Sequence, residues 1–195
     1  GEWLTLGHSF GGILQMAYFE KHPQKIKGMV MINCTLNMTE SFYGSWIPKA
    51  AEFAGVSYTL PVTVSPDSLL NEMMKVGKAM DENGVRWKMA YSSQKNDSIM
   101  NSSYRDIANW NNDFSAVALD VKEYWTDYTA KTPKVRVPVL FFYGYTDWMI
   151  GPKHYMNIRF PNMTLWGSDV GHIPFLENRE DLEKAIDYYN AKHGF

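Results

Sequence analysis

A Gly-x-Ser-x-Gly run, Gly7-His8-Ser9-Phe10-Gly11 with Gly12 behind it, constrains this chain more than any other stretch. It follows an extended apolar segment, Trp3-Leu4-Thr5-Leu6, and precedes a helix-like one from Ile13 to Lys21. A serine between glycines at a strand-to-helix turn can be held in a strained backbone conformation that exposes its hydroxyl. Gly7 permits the sharp turn, and Gly11 and Gly12 remove side chains where helix and strand pass closely. A helix without such a task favours other residues there. A Gly-rich turn with no chemistry is the competing explanation.

The surrounding pattern supports a strand-turn-helix. Glu2 to Leu6 reads as a strand, and the helix after it stops at His22-Pro23. Ile26 to Cys34 is a short apolar run rich in β-branched residues and Met, as a buried parallel strand requires. Strand, helix and strand in this span make a βαβ unit. From about Asn37 to Lys134 short helical patterns take over, predicted over Lys49–Ala54, Ser68–Met80, Ser102–Trp110 and Ser115–Tyr128. An insertion of this length is too long for a plain loop, so a helical subdomain is expected.

Regular α/β alternation then returns. Val137 to Tyr143 is a predicted strand, Gly144-Tyr145-Thr146-Asp147 a turn at its C-terminal end, and Gly151 to Ile158 a helix. Met163 to Trp166 is a last short strand, Gly171-His172-Ile173-Pro174 a loop, and Asn178 to Lys192 a closing helix with Leu182, Ile186 and Tyr189 at helical spacing. The fold class expected is α/β: a mostly parallel sheet with flanking helices and a helical cap. The core is residues 1–36 with 135–195, and the cap is 37–134.

Composition excludes several function classes. The chain has 195 residues, a formal net charge of −2 and 45% apolar residues. That suits one domain with a real core and excludes a binder reliant on a strongly basic face for nucleic acid. No apolar run approaches a membrane span. Cys34 is the single cysteine, so no internal disulfide forms, and a buried small hydrophobe is expected there. The high Met and aromatic content fits a rich core or an adaptable apolar pocket. Triplets such as Asn37-Met38-Thr39 and Asn162-Met163-Thr164 read as Asn-rich loops. A cytoplasmic location is the expectation.

A serine is a poor nucleophile at neutral pH without a base, and the base needs an orienting acid. Asp147 lies just past a predicted strand, where open α/β sheets build their sites. A structural turn aspartate is the alternative. Asp169, in the same loop as His172, and Asp127, in the helical insertion, are weaker rivals. Of the five histidines, His22 and His193 suit helix ends, His154 sits in a predicted helix without metal-ligand spacing, and His8 adjoins the serine. His172 alone lies on a loop that could face both Ser9 and Asp147. The Phe10 N–H, next after the serine, is the expected oxyanion donor. No metal cluster, cofactor loop or basic-aromatic strip is evident, so no cofactor and no nucleic-acid partner are expected.

The run G-H-S-F-G-G, the mid-chain helical insertion, the F-Y-G-Y-T-D turn and the G-H-I-P-F loop before a closing helix resemble the α/β-hydrolase superfamily. The resemblance runs along essentially the whole chain and is most similar to the proline iminopeptidase-like branch. It implies Ser9 as nucleophile, Asp147 as acid, His172 as base and Phe10 N–H as oxyanion donor. It also implies that the early strands and the second oxyanion loop lie outside this sequence, which covers the part from the elbow onward. The insertion does not spell out the branch's pattern for recognising a free amino terminus.

Three functions follow as expectations. One is a serine hydrolase forming an acyl-enzyme on Ser9 with a small ester or peptide substrate, as an esterase or an aminopeptidase. Another is a non-catalytic ligand-binding protein that retains the turn. A third is a fragment inactive without its N-terminal half. The strand before the turn leaves an edge that invites a homodimer or a strand-exchanged assembly.

Overall fold

A computed structural model of the chain describes residues 1–105, 107–109, 111 and 113–195, with backbone only at 114–116. Four parallel strands form one sheet in the order β1-β2-β3-β4: β1 Trp3–His8, β2 Ile26–Ile32, β3 Val139–Gly144 and β4 Met163–Ser168. Leu6 pairs with Val30, Met31 with Phe141, and Phe141 with Leu165. The two central strands are buried on both faces, which is why they read as continuous apolar runs.

Alternation along β2 and β3 sorts their side chains into two cores. Met29, Met31 and Phe141 face one side, where they meet Ile13 and Met16 of helix α1 (Gly11–Lys21). Val30, Ile32, Leu140 and Phe142 face the other, against Leu182, Ala185 and Tyr189 of the closing helix. Burying a side chain of that size stabilises by about 2 kcal/mol. Phe141 and Phe142, on opposite faces, therefore resist a one-residue register slip of β3. Tyr189 adds a hydrogen bond from its hydroxyl to the Pro138 carbonyl at 2.9 Å.

Residues between β2 and β3 form α2 (Met38–Glu40), a π-helical stretch at Ser41–Trp46, α3 (Ile47–Ala54), α4 (Pro66–Glu82), α5 (Gln94–Tyr104) and α6 (Asp113–Ala118). Short 3-10 turns occur at Arg86–Met89, Lys122–Trp125 and Thr129–Lys134. Trp46, Ile47, Leu69, Met80 and Met89 from this insertion join the same apolar cluster as Met31 and Phe141. The insertion thus packs continuously onto one sheet face. After β4 come α7 (Pro174–Glu177) and α8 (Arg179–His193). Among the described residues no helix is long and apolar enough to cross a membrane.

Three predicted helices differ from those observed. In place of Ser102–Trp110 the helix is α5, which starts at Gln94 because the Ser93 hydroxyl accepts the Asn96 N–H. Its end loosens where Ser102 and Ser103 donate back to the Ile99 and Met100 carbonyls. Trp110 lies outside the described residues. The helix predicted over Ser115–Tyr128 is split into α6 and the turn at Lys122–Trp125. Val121 is extended at φ −78°, ψ 121°, and the Trp125 indole N–H closes the bend on the Leu119 carbonyl. Of the helix predicted from Gly151, only a turn at His154–Asn157 forms, because Gly151 takes φ 109°. Asn37, read as a loop residue, caps α2 through the Glu40 N–H.

Candidate active site

Ser9 sits immediately past β1 with φ 60°, one of two non-glycine residues in the left-handed region among those described. Such a conformation costs about 1–2 kcal/mol for an L residue, so the surroundings must impose it. They do so from both sides of the peptide: the Ser9 N–H donates to the Ile32 carbonyl at 3.2 Å, and its own carbonyl accepts from Thr35 at 3.1 Å and Gly12 at 3.3 Å. Helix α1 then passes so close to the segment after β2 that a Cβ on Gly12 would lie 2.6 Å from that of Cys34. Only glycine allows this approach. Cys34 is fully buried, its thiol donates to the Gly7 carbonyl, and burial pushes its pKa up to about 12. It packs as the expected small hydrophobe and is held as the unreactive thiol.

Phe10 follows Ser9 at the entrance of α1, with its ring stacked on Tyr124 of the insertion at 5.3 Å between centroids. The backbone N–H groups of a helix start concentrate positive potential there.

Asp147 is 2% exposed, in the turn after β3. Its Oδ1 accepts from the backbone N–H groups of Met149 at 3.0 Å and Ile150 at 3.2 Å. Its Oδ2 lies 3.0 Å from Nδ1 of His172, itself 6% exposed. A carboxylate only accepts, so Nδ1 of His172 carries the proton of this bond. The structure therefore brings Asp147 and His172 together across the loops that follow β3 and β4. Asp169 and Asp127 are both exposed, the latter bonded to Thr129.

His8, the residue before Ser9, contacts this pair. Nε2 of His8 is 2.7 Å from the His172 carbonyl, and the two imidazoles lie 4.6 Å apart. Among the described residues no hydrogen bond joins the Ser9 hydroxyl to His172 directly. Burial and the adjacent His172 lower the His8 pKa to about 4, which keeps that ring neutral. His154 is elsewhere, buried, its Nε2 accepting the Leu36 N–H at 2.9 Å. Among the described residues no set of three His, Cys, Asp or Glu side chains could hold a metal ion.

Sequence reading missed Asn33. It has φ 45° and stands at the end of β2, where its side chain donates to the Gly171 carbonyl and accepts from Gly144 N–H, both at 2.8 Å. It thereby ties β3 to the histidine loop. The available signal was a polar residue ending an apolar strand at the sheet edge where the site lies.

Among the described residues two sizeable cavities border this region. The larger, about 870 Å³, touches the loop of Asp147 at Trp148 and Ile150 but is otherwise walled by residues such as Pro48, Tyr58 and His154. The smaller, about 430 Å³, is lined by Trp46, Met80, Trp87, Met89, Ala90 and Met149. It touches the peptide group that hydrogen-bonds His172, because the His172 N–H donates to the Ala90 carbonyl at 2.6 Å.

Comparison with known proteins agrees with this fold. The fold of a proline iminopeptidase-related protein of Thermus thermophilus superposes with a TM-score of 0.73 at 17% identity, covering 97% of this chain and 64% of that one. A proline iminopeptidase of Mycobacterium smegmatis gives 0.61 at 16%, covering 98% and 66%, and a thermophilic esterase of Thermogutta terrifontis gives 0.55 at 16%, covering 99% and 66%. The chain thus spans about two-thirds of the length of these proteins. Among curated proteins no sequence matches it. The model of the alpha/beta hydrolase fold family matches residues 1–179, up to the first residue of the closing helix, and the chain belongs to that family.

Proposed function

We propose that the protein is a serine hydrolase acting on a small ester or amide through an acyl-enzyme on Ser9. In this reading Nε2 of His172 takes the Ser9 hydroxyl proton as the oxygen attacks the substrate carbonyl. Asp147 holds the imidazole tautomer and stabilises its charged form. The Phe10 N–H donates to the developing oxyanion at the start of α1. The proton then passes from His172 to the leaving alcohol or amine, and water repeats the cycle on the acyl group. Residues 1–36 and 135–195 act as the α/β core and 37–134 as a cap, with the cavity bounded by Met89, Ala90 and Met149 receiving the apolar part of the substrate.

The observation that carries this reading is the buried Asp147–His172 hydrogen bond, whose loop is bonded to His8, next to a serine at positive φ. The resemblance to proline iminopeptidases and to an esterase supports hydrolysis and leaves the substrate between the two. The missing direct bond between Ser9 and His172 favours a second reading, a ligand-binding relative without turnover. Such bonds are often loose before substrate binds. A fluorophosphonate probe decides between them. Covalent labelling at Ser9, abolished in Ser9→Ala, is expected of the hydrolase, and an unlabelled intact parent protein overturns it.

A further inference from the structure

Glu177 closes α7, five residues after His172, and its carboxylate faces two different parts of the chain. Oε2 accepts the N–H of Gly171 at 2.5 Å, inside the histidine loop. Oε1 accepts the N–H of Ser92 at 2.8 Å, inside the helical insertion, with the Asn96 amide at 3.4 Å. The same stretch of insertion makes two more backbone bonds to the site. The Ala90 carbonyl accepts the His172 N–H, and the Met89 carbonyl accepts the N–H of Trp148, next to Asp147, at 3.2 Å. Residues 89–92 therefore clasp both the loop that carries the acid and the loop that carries the imidazole. The approach is close enough that a Cβ on Gly171 would collide with the Ala90 carbonyl oxygen.

A hydrogen bond to a charged acceptor is stronger than a neutral one. Here a single carboxylate holds N–H groups from two segments far apart in sequence, so the loop of His172 cannot shift without breaking a bond to the insertion. We propose that Glu177 is a positioning residue for His172, fixing the imidazole against Asp147 by pinning its loop to residues 89–92. This rests on the hydrolase reading for its effect on rate, while its effect on the imidazole does not. The insertion is thereby coupled to the base, and seating the insertion is part of assembling the site.

The test is Glu177→Gln in the full chain, with Glu180→Gln, an exposed residue paired with Lys184, as control. The amide keeps the shape but replaces one accepting oxygen by a donor, leaving one of the two N–H groups without an acceptor. Turnover of a p-nitrophenyl ester should fall about tenfold or more in kcat with KM within about twofold. The downfield Nδ1–H proton resonance of His172 should broaden as its bond to Asp147 loosens. Wild-type kcat with an unchanged resonance overturns the proposal, and so does a raised KM at constant kcat, which assigns Glu177 to substrate binding. If the variant does not fold, amide exchange in the wild-type protein decides. Gly171 and Ser92 should exchange at least about a hundredfold slower than open-loop amides, and unprotected exchange overturns the clasp. If the phosphonate probe leaves Ser9 unlabelled, the hydrolase reading fails, while the resonance and the exchange still settle the role of Glu177.

Discussion

His8 donates a hydrogen bond from Nε2 to the backbone carbonyl of His172 at 2.7 Å. A carbonyl only accepts, so the His8 proton must sit on Nε2. The tautomers of two neighbouring imidazoles are therefore set by their partners, one by a peptide oxygen and the other by Asp147. The residue before the serine thus ties the strand-to-helix turn to the loop of His172.

The depressed His8 pKa gives a pH dependence with a definite sign. The folded state keeps His8 neutral down to about pH 4, while the unfolded chain protonates it near 6.5. The unfolded state binds more protons in that window, so the His8 contribution is present above 6.5 and is lost as pH falls toward 4. Urea unfolding between pH 7.5 and 4.5 should show this loss, and His8→Asn should flatten it. An equally steep profile in the variant removes His8 as the cause.

Ser9→Gly relieves the left-handed strain and adds chain entropy to the unfolded state, two effects that nearly cancel. The variant should be more stable than wild type by about 0.5 kcal/mol and should lose all phosphonate labelling. A loss of more than about 1 kcal/mol in denaturant titration would mean that the serine side chain supports the fold.

Asp147→Asn should leave the fold intact but present the wrong group to His172 Nδ1. Ester turnover or the labelling rate should fall by about 10³–10⁴-fold. A decrease below tenfold would show that another group orients the imidazole.

Asn33→Ala leaves the Gly144 N–H and the Gly171 carbonyl buried without their partner. The cost should be about 2–3 kcal/mol, read from the denaturation midpoint at constant slope. A change under about 0.5 kcal/mol would show that water or a shifted backbone satisfies both groups.

β1 lies at one edge of the sheet and exposes Trp3 at 61% and Leu6 at 63%. An apolar, unpaired strand edge invites pairing with another chain. Light scattering should detect self-association that weakens in Leu6→Lys. Identical, concentration-independent masses for both proteins would remove this edge as an association surface.

The α/β alternation and the sites of the four strands were legible because each rests on local pattern. Short continuous apolar runs mark the buried strands, and polar residues just beyond them mark the C-terminal edge of a parallel sheet. The insertion was legible as helical but not in its boundaries. Ser93, Val121 and Gly151 redirected three helices through caps and backbone angles that propensity weighs little.

By itself, then, the sequence determined that Ser9 lies on a strand-to-helix turn and that Asp147 and His172 follow later strands. Hydrophobic periodicity and glycine spacing are local properties, readable without coordinates. Only the tertiary structure decided that Asn33 stitches Gly144 to Gly171, that His8 holds the His172 carbonyl, and that Glu177 joins Gly171 to Ser92. Each of these bonds uses at least one backbone group. Backbone groups are the same in every residue and leave no mark in the sequence until the chain brings them together.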